Sequence, residues 1–176
     1  ANVFVYVLRM GVLDWGPKFL TADRGMNING AAWSVAVFEL TAIIGTIFAG
    51  WASDHIFKGK SHRMCLFSMI GACLFLAIFA LVPGLPTVVS TLVLAMSGFC
   101  IYGPQALYGV CASQQATKYA AGTGNGIIGI FGYASSVVSG VMFGAMAETG
   151  GWDSVFPVAI AFGIASGVTP TVGLIT

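Results

Sequence analysis

Apolar residues run along this chain in six long stretches, at about 1–20, 31–52, 64–82, 87–111, 122–146 and 153–175. Crossing the hydrocarbon of a bilayer takes about 20 apolar residues of helix, so each stretch reaches or nearly reaches the length of a span. The breaks between them carry turn chemistry. Asp23-Arg24-Gly25 with Asn27 and Asn29 forms the first, and Asp54 to Arg63 is a polar loop. Pro83-Gly84-Leu85-Pro86 is a tight apolar turn, and Gln114 to Ala121 and Thr149-Gly150-Gly151 complete the set. Trp15, Trp51 and Trp152 fall at predicted helix ends, where an amphipathic indole prefers the membrane interface. The pattern predicts an all-α membrane protein, a six-helix transmembrane bundle.

Composition sharpens this picture. Of 176 residues, 57% are hydrophobic and 7% charged, against roughly 25% charged in a soluble domain. That leaves too little polar surface to cover a soluble particle. The 24 glycines suit close helix packing in lipid. A net charge of +1 gives no basic footprint for nucleic acid. Cys65, Cys73, Cys100 and Cys111 lie in or beside apolar segments with no C-x-x-C pair, so they read as small buried side chains, and no metal or cofactor is expected. The chain opens at Ala1 inside an apolar run and stops at Thr176 without a basic flank; an N-terminal portion upstream and a trimmed C-terminus are expected.

The basic residues set the orientation. Lys58, Lys60, Arg63 and Lys118 share one side, and Lys18 and Arg24 lie on the other with Asp23, Glu148 and Asp153. The side richer in lysine and arginine is expected to be cytoplasmic, so the first helix starts inside the cell and the odd helices run outward.

Arg9 stands well inside an apolar helix, in NVFVYVLRMGVLDW. A mid-bilayer arginine costs about 2.5–3.5 kcal/mol on insertion scales. It therefore calls for an anion, a carboxylate partner such as Asp14 or Glu39, or a water-filled cavity. Its planar fork of donors suits a phosphate and stays charged at any working pH. Tyr6, three residues earlier, shares its helix face; Asp14, five residues later, lies on another. Glu39, midway along the second stretch, reads with Asp14 as a structural counter-charge or a coupling group. Tyr102 precedes Gly103-Pro104 in the fourth stretch, where a bend is expected. Tyr133 lies in the glycine-rich fifth stretch, which carries Gly122-x-x-x-Gly126 and Gly140-x-x-x-Gly144. No metal cluster, nucleophile–base pair or pair of carboxylates in one span is present, so an intramembrane enzyme is not expected.

The loop Gly50-Trp51-Ala52-Ser53-Asp54-His55, followed by Lys58, Lys60 and Arg63, resembles the cytoplasmic loop signature of the major facilitator superfamily. NVFVYVLRMGVLDWGP, Glu39, GWASDHIFKGK, GFCIYGPQALYGV, KYAAGTGNGIIGIFGY and GWDSVF, in that order, resemble the C-terminal half of the organophosphate:phosphate antiporter family, and its glycerol-3-phosphate branch most. The resemblance implies one half of a twelve-helix inner-membrane fold, with the N-terminal six-helix half lying outside this chain. It implies exchange of an organic phosphate for inorganic phosphate by alternating access. It also implies that Arg9 holds the phosphoryl group together with an arginine of the other half. Tyr6, Tyr102 and Tyr133 match positions lining the cavity, and Asp14 and Glu39 match acidic positions near it. Hexose-phosphate carriers carry an acidic and a basic residue in the fifth helix of this half; residues 122–146 hold neither, which leans toward a three-carbon phosphate. Hexose-phosphate or phosphoglycerate exchange, or sensing of a sugar phosphate, are the alternatives.

Overall fold

The computed structural model describes residues 1–22, 25–82, 86–115 and 120–172, except for the side chains of residues 114, 115, 152, 153 and 170–172. Six helices follow one another: α1 Asn2–Ala22, α2 Ile28–His55, α3 Ser61–Leu81, α4 Thr87–Gln115, α5 Ala121–Gly150 and α6 Trp152–Val172. Asp23, Arg24, the turn at 83–85, Lys118 and the side chains of Trp152 and Asp153 lie outside the described residues.

Most of these helices run beyond the apolar stretches that predict them, because backbone hydrogen bonding does not stop where side chains become polar. At the start of α2 the cause is a cap. Asn27 Oδ1 accepts from the backbone N–H of Asn29 at 2.7 Å and of Gly30 at 3.0 Å, satisfying donors that the first turn leaves unpaired. Asp54 and His55 therefore belong to α2, and Ser61 to Arg63 belong to α3. The expected ten-residue polar loop shrinks to residues 56–60. Lys58 and Gly59 turn the chain there with φ of 52° and 79°, and the Ser53 and Ser61 hydroxyls meet at 2.9 Å across it. Trp15 likewise sits inside α1, which continues through Pro17. Thr149 and Gly150 complete α5, and Gly151 alone, at φ 68°, breaks the chain before α6.

Among the described residues, four helices are long and apolar enough to cross a membrane: Ile28–His55, Ser61–Leu81, Thr87–Ser113 and Ala121–Gly150. Six spans were expected from the pattern. α1 has the length but carries Arg9, Asp14 and Lys18, and the described apolar part of α6, Ser154–Thr169, is shorter. Apolar side chains fill the core and also cover the outside. Ile43 and Ile47 of α2 and Val137 and Val141 of α5 face outward, while Ser34, Ser97, Ser139 and Ser166 are buried. Contiguous exposed apolar faces of this extent are foreign to a water-soluble monomer and natural to one solvated by lipid. The chain is an all-α, multi-pass membrane protein.

In lipid, helices associate through close packing and interhelical hydrogen bonds. A Cβ on Gly45 would overlap the Phe99 carbonyl oxygen and come within 2.7 Å of the Phe99 Cα, and one on Gly98 would sit 2.7 Å from the Phe38 ring. α2 and α4 thus meet backbone to backbone. Two hydroxyl contacts tie the same pair: Ser34 Oγ to Thr91 Oγ1 at 2.7 Å and Thr41 Oγ1 to the Ala95 carbonyl at 2.9 Å. α4 continues as one helix through Pro104, and Gly103 beside it admits Ala49, whose Cβ would lie 2.6 Å from an added methyl. The GxxxG pairs of α5 play a smaller part than expected: Gly122, Gly126 and Gly140 have open space around them, and only Gly144 is close to a neighbour, Trp15.

α1, α3 and α6 share a buried aromatic knot. Phe19 lies 5.3 Å from Phe79 and 4.8 Å from Phe156 between ring centroids. Helix neighbours occur in matched sets: α2 with α4 and α5 with α1, α3 with α4 and α6 with α1, α1 with α2 and α4 with α5. Exchanging α1–α3 with α4–α6 maps this list onto itself. Such an exchange symmetry between successive three-helix units is the arrangement of inverted-repeat transporters.

Gly45→Ala should lower the thermal midpoint of the detergent-solubilised full-length protein by several degrees, since overpacking a tight contact costs about 1–3 kcal/mol. Gly16→Ala should leave it unchanged or raised: Gly16 lines a small apolar cavity and nothing lies within 4 Å of an added Cβ. Equal losses at both positions would show that helix separation is not what holds α2 to α4.

Candidate anion-binding site

Arg9 lies in the middle of α1, half-buried, on a helix whose Val5, Leu8 and Val12 pack into the core. Its guanidinium carbon lies 4.4 Å above the centroid of the Tyr102 ring of α4. The Tyr102 hydroxyl donates to Glu39 Oε1 of α2 at 2.5 Å. The edge of Phe38, beside Glu39 on α2, meets the same ring at 6.0 Å between centroids. Three helices thus converge on one tyrosine, and the close approach of α2 to α4 delivers Glu39 to it.

Tyr102 contacts both Arg9 and Glu39, and among the described residues no ion pair joins Arg9 to Glu39 or to Asp14. Arg9 Nε is buried without a hydrogen-bond partner among those residues. Asp14 is exposed on α1. A stacked cation on an aromatic ring gains about 0.5–2 kcal/mol, short of the 2.5–3.5 kcal/mol that a mid-membrane arginine costs. The guanidinium keeps both its positive field and spare donors.

Tyr6 of α1 and Tyr133 of α5 form a second contact. Their rings meet edge to face at 5.6 Å. Gly132 makes room for this, since a Cβ there would strike the Tyr6 ring at 2.9 Å. Asn2 Nδ2 donates to the Ile128 carbonyl at 3.1 Å and stitches the start of α1 to α5. Tyr133 is exposed. The structure therefore brings Arg9, Tyr102 and Glu39 together, pairs Tyr6 with Tyr133, and leaves Asp14 outside both groups.

Residues of the expected loop signature lie elsewhere. Gly50 and Asp54 are on the last turns of α2, Lys58 and Lys60 are in the turn, and Arg63 is on the first turn of α3, all but Gly50 exposed. His55 stacks on Trp51 at 5.5 Å and its Nδ1 lies 3.1 Å from the Trp51 carbonyl. Sequence reasoning passed over Gln105, whose Oε1 is buried without a partner among the described residues. An amide within a span was the available signal, hidden by attention to formal charge. It also passed over Gly132, where only the tertiary contact shows why glycine is needed.

Comparison with known proteins agrees with this architecture. The family model described as Major Facilitator Superfamily matches residues 3–175. The chain is 37% identical to a glycerol-3-phosphate transporter of Haemophilus influenzae over 93% of its own length and 38% of that protein's. It is 34% identical to the membrane sensor protein UhpC of Salmonella typhimurium, covering 93% of this chain and 37% of the relative. A probable hexose phosphate transport protein of Chlamydia trachomatis is 32% identical over 92% of this chain and 36% of that protein. The chain thus spans well under half the length of these relatives, and a six-helix bundle is the size of one half of a major facilitator fold. A bundle with apolar outer faces, a charge among its packed helices and a family match across nearly every residue lead to one assignment: the chain belongs to the major facilitator superfamily.

Proposed function

We propose that this chain forms the C-terminal six-helix half of an inner-membrane secondary transporter that exchanges a small, glycerol-3-phosphate-like organic phosphate for inorganic phosphate by alternating access. The observation that carries the reading is the unneutralised guanidinium of Arg9, stacked on Tyr102 within an apolar bundle. A phosphoryl group supplies the missing counter-charge and accepts paired, charge-assisted hydrogen bonds from the fork. Tyr102 acts as the platform that holds the fork, and its hydroxyl engages the Glu39 carboxylate. Glu39 then lends a negative field without competing for the donors. That balance suits a carrier, which must release what it binds. Tyr6 and Tyr133 are assigned to the substrate pathway beside this group. The relatives' names, glycerol-3-phosphate and hexose phosphate transporters, support the substrate class. The absence of charged residues between positions 122 and 146 favours the smaller ester. Asp14 is assigned a structural or coupling role apart from the ligand.

A second reading, a membrane sensor of sugar phosphate, is favoured by the likeness to the sensor named above. It uses the same site without turnover. Full-length protein in liposomes separates the two, since a sensor binds phosphate but does not exchange it.

Arg9→Lys and Arg9→Gln should both reduce phosphate–phosphate exchange about 100-fold or more at matched expression, because hydrogen bonds to charged groups contribute about 1.5–3 kcal/mol each. Lysine keeps the charge but loses the fork. Both variants should insert normally: glutamine removes the mid-membrane charge and relieves its insertion cost, and lysine carries about the same cost as arginine. Exchange near the wild-type level in Arg9→Gln would refute the role given to Arg9.

Single cysteines placed at Lys58 or Lys60, in a background free of native cysteines, should react with a membrane-impermeant thiol reagent from the cytoplasmic side only. Labelling from outside would invert the topology.

A further inference from the structure

We propose that Gln105 is a specificity-determining residue, whose side-chain carbonyl accepts a hydrogen bond from a hydroxyl on the carbon skeleton of the ester that Arg9 holds by its phosphoryl group. The inference rests on the reading of Arg9 given above and adds the substrate class, a hydroxylated phosphate ester.

Two buried polar atoms near Tyr102 lack partners among the described residues, and they are of opposite kind. Arg9 Nε is a donor and Gln105 Oε1 an acceptor. Buried polar side chains are satisfied in the large majority of cases, so each of these two atoms calls for a partner. Arg9 reaches the Tyr102 ring from α1. Gln105 follows Tyr102 by three residues on α4, which puts it on the same side of that helix, about 4.5 Å further along the axis.

The phosphoryl group of a dianionic ester answers the donor only, since its oxygens accept and carry no proton to give. A carboxylate beside it would fail in the same way. A ligand that answers both atoms carries phosphoryl oxygens at one end and a hydroxyl donor on its carbon skeleton. Gln105 as a whole is half-buried, so its end reaches the open side by rotation about its own torsions, without movement of α4. The amide adds no charge, so it discriminates without disturbing the balance between Arg9 and Glu39.

The test compares dissociation constants of inorganic phosphate, glycerol 3-phosphate and propyl phosphate, measured by calorimetry on purified full-length protein, wild type and Gln105→Met. Propyl phosphate keeps the skeleton and lacks the hydroxyls; methionine keeps length and flexibility and loses the carbonyl. Wild type should bind glycerol 3-phosphate about tenfold more tightly than propyl phosphate, the effect of roughly one hydrogen bond. In Gln105→Met the preference should disappear while inorganic phosphate binds as in wild type. A wild-type protein that binds the two esters equally overturns the proposal, whatever the variant does. So does a variant that keeps the preference, or one that loses inorganic phosphate and ester together, which would make Gln105 a phosphate-end or structural residue. If wild type binds no inorganic phosphate, the role of Arg9 fails first and this inference with it.

Discussion

Arg9 brings a permanent charge into a helix whose neighbours are valine, leucine and methionine, and lipid offers no water to solvate it. A full ion pair would quench the charge and leave nothing for a ligand. Stacking on Tyr102 takes a middle course. It shields one face of the guanidinium in an aromatic π-cloud and leaves the edge, where the donors lie, for an anion. Glu39 is near enough to lower the cost of the charge but is engaged by the tyrosine hydroxyl. Removing Tyr102 from this set would let the charges collapse together or leave Arg9 exposed, and in either case the site would lose its poise.

Holding one tyrosine between α1 and α2 demands that α4 be placed closely against both. Here the absence of side chains is the means. Gly45, Gly98 and Gly103 let α2 and α4 touch at backbone distance. Thr41 and Ser34 then fix the register with hydrogen bonds that lipid cannot replace. The matched pair of α1 with α5 works similarly: Gly132 receives Tyr6, and Asn2 reaches the Ile128 carbonyl. Because the packing list is unchanged when the two three-helix units are exchanged, α1 and α4 occupy equivalent places, and both carry residues of the site.

The tight turn between α2 and α3 is built with comparable economy. Lys58 and Gly59 adopt positive φ, and the backbone N–H of Gly59 donates to the Ser53 carbonyl at 2.9 Å. Only residues 56–60 separate the two helices, so the link is short and hydrogen-bonded rather than slack. The exposed basic residues ride on that link. α2 carries Glu39 at one level and Asp54 at another.

The sequence by itself determined that the chain is a bundle of six apolar helices, since lipid requires long uninterrupted apolar stretches and punctuates them with turn residues. It singled out Arg9, because a charge in such a stretch stands out without any coordinates, and the tyrosines followed from a family resemblance carried by ordered motifs. Helix ends were misread by several residues, at Asn27, Asp54 and Arg63, because caps and backbone hydrogen bonds extend a helix past its apolar part. Only the tertiary structure decided that Tyr102 meets both Arg9 and Glu39, that Asp14 stands apart, and that Gly132 rather than the GxxxG pairs of α5 receives Tyr6. Those outcomes depend on which residues of different helices face one another. Local patterning says which face of a helix is apolar, but close packing between helices sets their relative rotation and depth, and so which polar atoms meet and which, like Gln105 Oε1, remain without a partner.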